Sequence, residues 1–194
     1  FLFQVNLGFS RLPVKIGKVL VVIGLYPFLE INLSKLKQNI ETLQKKCSQW
    51  MLKPVAVTKG FCADSKITDL LYDSGIQTFA DSNISNLIKL IDRYGHKAQY
   101  QLIRLPMKEE IDVILENQII PMVSQLEILN LFDQKAKQLH ARSSVILAIE
   151  TGDGREGFLP EELLNNIDQV VSFNDLTIVG IGTSLACLSG VLPQ

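Results

Sequence analysis

The chain has 194 residues, 47% of them hydrophobic, and a formal net charge of −1. That is enough apolar material for one core, and near-neutral charge with scattered Lys and Arg excludes a nucleic-acid footprint. Cys47, Cys62 and Cys187 lie too far apart for metal-ligand spacing or a disulfide framework, so a reducing cytoplasm is the expected compartment.

In chain order, the first feature is the apolar run Val19-Leu20-Val21-Val22-Ile23-Gly24-Leu25. It follows Arg11, Lys15 and Lys18, as the core of a secretory signal would. The run is too short to span a bilayer, and no small-x-small cleavage site follows it. Residues 1–25 are therefore expected to be a leader or upstream segment outside the domain, with Leu25 as an alternative start. Association with a membrane is not expected.

From Phe28 short apolar runs alternate with amphipathic stretches. Phe28–Asn32 reads as a short strand, and Ser34 as the cap of a helix whose stripe is Leu36, Ile40, Leu43 and Cys47. Strand-like runs follow at 54–58, 76–80, 99–105, 119–123, 144–150 and 176–182. The helical patterns between them carry Ile67, Leu70 and Leu71, then Ile84, Leu87, Ile88 and Ile91, then Ile111 to Leu115. Ser124-Gln125-Leu126-Glu127 reads as a capping box opening a long helix through Leu129, Phe132, Ala136 and Leu139. Pro160-Glu161-Glu162 suits the first turn of the next.

The strand runs are continuous rather than alternating, as in a parallel sheet buried on both faces, so the class is α/β. An open doubly wound sheet and a (β/α)8 barrel both fit the alternation. Polar or reactive residues close nearly every run (Lys59, Asp81, Arg104, Ser124, Glu150, Ser184). That favours a TIM-type barrel, whose active site gathers at the C-terminal strand ends. About six of eight barrel strands are counted, so the chain reads as an incomplete, N-terminal part of the barrel.

Lys59 follows the run at 54–58 and is itself followed by Gly60, which leaves room for a planar group. Partial burial lowers a lysine's pKa and frees its amine for Schiff-base chemistry; a surface lysine is the alternative. Gly152, Gly154 and Gly157 spell G-x-G-x-x-G, but late in the chain and with Arg155 inside, so a dinucleotide site is disfavoured. Arg155 either meets solvent or aims its planar fork at an anion over the barrel mouth. Arg104 is a second cationic candidate, with a plain salt bridge as the alternative. His96 and His140 read as surface residues, and Trp50 as packing.

These segments resemble the fold-type III pyridoxal 5'-phosphate (PLP) enzymes, the alanine racemase N-terminal barrel, and within it the alanine/ornithine racemase branch. The resemblance is carried by Tyr26–Leu33, Val57–Asp64, Ala80–Ile84, Arg104–Met107, Gly152–Gly157 and Gly180–Cys187, in family order over residues 26–194. It implies a PLP-dependent amino-acid racemase in which Lys59 holds PLP as a Schiff base and moves a proton at the substrate α-carbon. It also implies that Arg155 reaches the cofactor's phenolic oxygen and that Ser184, beside Thr183, lies near the pyridine ring. Arg104, Asp81 and Ser124 are candidate substrate contacts, and acidic Asp81, Asp153 and Glu156 would suit a substrate carrying a second cation, such as ornithine or lysine. In the family the opposing acid/base is a tyrosine from a second subunit, which implies a homodimer. The main phosphate loop and the group facing the pyridine nitrogen are expected beyond Gln194. A PLP-independent Schiff-base lyase and a non-catalytic PLP-binding barrel protein are the alternatives.

Overall fold

The computed structural model describes residues 5–16 and 19–185. Strands β1 (Val5–Ile16) and β2 (Val19–Ile31) pair antiparallel, Val5 opposite Ile31 and Ile16 opposite Val19, with a bulge between Phe9 and Arg11. Strand β2 runs through Tyr26, the expected start of the domain, and takes in most of the strand expected at 28–32. Helix α1 (Leu33–Gln49) follows. Its cap is Asn32, whose Oδ1 accepts the Lys35 N–H at 3.0 Å, so the expected cap Ser34 lies one residue inside the helix. The short side chain of Asn32 reaches the orphan donors as well as a serine would. Leu36 and Ile40 are buried, while Leu43 and Cys47 are half-buried. Helix α2 (Ser65–Asp73) buries Ile67 and Leu71 and contacts α1, and Gln44 Nε2 donates to the Ser74 carbonyl at 2.8 Å. These elements form one compact unit.

The second unit is a parallel sheet with its helices. Its strands are β3 (Ala56–Val57), β4 (Thr78–Asp81), β5 (Gln99–Leu102), β6 (Ile120–Val123), β7 (Ser143–Ala148) and β8 (Leu176–Gly182). They lie side by side in chain order, and every pair is parallel. A doubly wound sheet must reverse its strand order at a switch point. This one never does, so the order is that of an incomplete (β/α) barrel. Its six strands are the six counted from sequence.

The helices of this unit are α3 (Ile84–Tyr94), α4 (Ile111–Glu116), α5 (Leu126–Gln138), α6 (Pro160–Asn165) and α7 (Ile167–Ser172). Core side chains come from strands and helices alike: Phe79, Leu102, Val123 and Val145 with Leu87, Leu90, Ile114, Leu129 and Phe132. Phe79 stacks on Tyr94 with ring centroids 5.5 Å apart. Pro160 occupies the first turn of α6 with Glu161 and Glu162, as expected. The expected capping box at Ser124 does not form, because Gln125 is the N-cap and no side chain caps the helix. Two-sided burial also stops at β8, where Val179 is 51% and Ile181 72% exposed.

Candidate functional site at the C-terminal strand ends

Parallel, in-order strands bring all their C-terminal ends to one edge of the sheet, and the expected site residues follow β3 to β8 there. Lys59, Ser124, Arg155, Thr183 and Ser184 line one cavity of ≈ 230 Å³ together with Glu156. Ile103, Met122 and Ala148 supply its apolar wall. Glycine at 182 keeps that wall in place, since a Cβ there would meet Met122 Cε at 2.9 Å and Ile146 Cγ2 at 3.2 Å.

Lys59 opens a 3-10 turn, Lys59–Phe61, directly after β3. The Thr58 carbonyl accepts the Phe61 N–H at 3.2 Å and the Ala63 N–H at 3.3 Å. Cys62 and Ala63 both take left-handed backbone, φ 51° and 54°, a conformation that L residues adopt only where the surroundings impose it. The Lys59 side chain is exposed, with no hydrogen-bond or ion-pair partner among the described residues.

Arg155 sits on the loop after β7, which winds around the carboxylate of Glu150. Glu150 Oε1 accepts the Gly152 N–H and Oε2 the Arg155 N–H, at 2.5 and 3.2 Å. Backbone N–H groups of Gly154 first, then Gly152, hold this carboxyl below the usual carboxylate range. Two further ties anchor the loop: Ser184 Oγ donates to Asp153 Oδ2 at 3.2 Å, and the Leu105 N–H donates to Glu156 Oε2 at 3.3 Å. The Thr151 and Thr183 hydroxyls lie 2.7 Å apart. The loop returns through Gly157 to a parallel bridge between Ile149 and Phe158. A Cβ on Gly157 would stand 2.3 Å from the Glu150 nitrogen, so only glycine fits this close approach.

Two expected substrate contacts are placed elsewhere. Asp81 is fully buried, and its oxygens accept from Thr58 Oγ1 at 2.6 Å, Asn86 Nδ2 at 3.1 Å and the Asn83 N–H at 2.8 Å. With no exposed oxygen it offers nothing to a soluble cation. Arg104 gives Nη2 to Glu110 Oε1 at 2.6 Å, Nη1 to Glu110 Oε2 at 2.8 Å, and Nε to the Ser82 carbonyl at 2.7 Å. This bidentate pair raises the guanidinium pKa and lowers that of Glu110. Arg104 thus takes the salt-bridge alternative. Sequence reasoning missed Glu110 and the organising role of Glu150. The only signal was their place, one just after Pro106 and the other just before a run of glycines. Ala186 and Cys187, which close the last motif, lie outside the described residues.

Residues 31–192 match the family described as alanine racemase, N-terminal domain. The chain belongs to that family. Within it, the chain is 34% identical over 171 residues to an ornithine racemase of Acetoanaerobium sticklandii, covering 88% of this chain and 48% of that protein. It is 30% identical over 168 residues to a lysine racemase of Thermotoga maritima, covering 87% and 46%. The chain therefore spans about half the length of these curated relatives. Among solved structures, alanine racemase from Bartonella henselae with covalently bound pyridoxal phosphate superposes with a TM-score of 0.69 at 19% identity. That likeness, over 80% of this chain and 44% of the other, shows that the alanine racemase N-terminal barrel is the fold. Among the described residues no helix is long and apolar enough to cross a membrane, and no cluster suited to a metal ion occurs.

Proposed function

We propose that residues 26–194 are the cofactor-anchoring part of a PLP-dependent amino-acid racemase, with ornithine, alanine or a similar small amino acid as substrate. The observation that supports this reading is the shared cavity, whose lining includes Lys59, Arg155, Ser124, Thr183 and Ser184. A primary amine, a planar cation and small hydroxyl donors fit an aldehyde-bearing aromatic anion. PLP, when bound, supplies the electron sink that stabilises negative charge at the substrate α-carbon.

The chain's own residues would do the rest. Lys59 holds the cofactor and carries a proton to or from the α-carbon on its face. Arg155 donates to the phenolic oxygen, and Ser184 with Thr183 borders the ring. Ser124 remains a candidate for the substrate, whereas Asp81 and Arg104 act within the protein. The opposing acid/base would come from a second subunit of a cytoplasmic homodimer. The names of the relatives, an ornithine and a lysine racemase, support substrates with a second amine.

Borohydride reduction in the presence of PLP should fix one cofactor on Lys59, seen by peptide mass, and Lys59→Ala should abolish it. A complete protein incubated in deuterated water should then exchange the α-proton of ornithine, lysine, alanine or serine. No label on Lys59, or no exchange with any of the four, would remove the racemase reading.

A further inference from the structure

Among the described residues no cation pairs with the buried carboxylate of Asp81, yet it is fully enclosed and collects three donors. An isolated buried charge is costly and persists only where hydrogen bonds compensate it. Here they do, and no buried side-chain polar atom among the described residues lacks a partner. The donors come from three places: Thr58 at the end of β3, the Asn83 backbone at the start of α3, and the Asn86 side chain inside α3.

Thr58 is the residue immediately before Lys59, and all its polar groups are committed. Its N–H donates to the Ala80 carbonyl at 2.9 Å, and its carbonyl accepts from Phe61 and Ala63. Its hydroxyl lies 2.6 Å from Asp81 Oδ2 and 3.4 Å from the Ala80 carbonyl, so its one proton goes to the carboxylate. The register that sets Val57 beside Ala80 brings Thr58 level with Asp81.

We infer that Asp81 is a positioning residue. Its carboxylate locks Thr58, and through Thr58 the left-handed turn that presents the amine of Lys59 to the cavity. This rests on the reading of Lys59 as the cofactor anchor, but it assigns to Asp81 a role away from substrate.

Asp81→Asn tests it, because the neutral amide has one acceptor oxygen for the three donors that the carboxylate serves with two. The variant should show faster amide exchange at Phe61 and Ala63 without cofactor. At subsaturating PLP its trapped occupancy of Lys59, per folded molecule, should fall about tenfold, as expected for one lost hydrogen bond to a charged group. Thr58→Val should reproduce both effects and keeps the test open if Asp81→Asn does not fold. Thr58→Ser, which retains the hydroxyl, should restore occupancy to within about twofold of the wild type. A lowered melting temperature with exchange and occupancy unchanged would overturn the inference, leaving Asp81 a purely structural group. If the wild type traps no PLP, the functional reading fails, and faster exchange at Phe61 and Ala63 still decides whether Asp81 sets the turn.

Discussion

Two loops present the two cations of the cavity, and each is built around a carboxylate, but in opposite surroundings. The Lys59 turn hangs from Asp81, which is sealed from water and holds Thr58, Asn83 and Asn86. The Arg155 loop wraps Glu150, whose partners are exposed backbone N–H groups of Gly152 and Arg155. A hydrogen bond lost in the interior leaves a donor without water to replace its partner, whereas at the surface water takes over. The contrast teaches that one cation is carried by a turn fixed to the core and the other by a loop whose central carboxylate faces water.

The largest effect expected is for Asp81→Ala, which strips the acceptor from three donors at once. It should lower stability by about 3 kcal/mol, measured by urea denaturation. A loss no larger than that of a surface substitution would erase the distinction between the two loops. Gly157→Ala should come next, because backbone at 2.3 Å cannot yield as a side-chain tip would. A cost of about 2 kcal/mol is expected, together with broadened resonances from 150 to 158 while those of 58 to 63 stay sharp.

Glu110→Gln removes one charge from the half-buried pair with Arg104 and should cost about 1 kcal/mol. The pKa of Glu110 is lowered in the folded chain. Its contribution is therefore fully present above the unfolded value of about 4.3 and disappears as pH falls through the lower folded value. The gap between wild type and variant in melting temperature should close over that acid range, and a gap that widens there would reverse the assignment. The smallest global effect belongs to Glu150→Gln, which should leave the melting temperature nearly unchanged. Amide exchange at Gly152 and Arg155 should nonetheless accelerate at neutral pH. Protection of the same amides, taken relative to the intrinsic exchange rate at each pH, should also fall in the wild type as acid neutralises the depressed carboxyl of Glu150.

Much of the site was legible before the fold was known. Lys59, Ser124 and Ser184 close strand runs, Arg155 and Thr183 stand in glycine-rich motifs, and all five line one cavity. Asp81 and Arg104 met the same criterion and turned inward. Position at a strand end says which edge of the sheet a residue occupies, not which way its side chain points. The helix caps show the same limit, since Asn32 displaced Ser34 and Gln125 displaced Ser124 within one or two residues. Several residues near a helix start can serve as its cap, and local backbone angles choose among them.

By itself the sequence determined the alternation of strand and helix, the α/β class, the count of six parallel strands and the glycines around Arg155. Hydrophobic periodicity and turn chemistry are local and need no partner to be read. Only the tertiary structure decided that the strands run in unbroken order, that Arg104 closes on Glu110, and that Thr58 meets Asp81 across 23 residues of chain. Those contacts depend on the register of parallel strands, and a slip of one residue there exchanges the faces of every side chain.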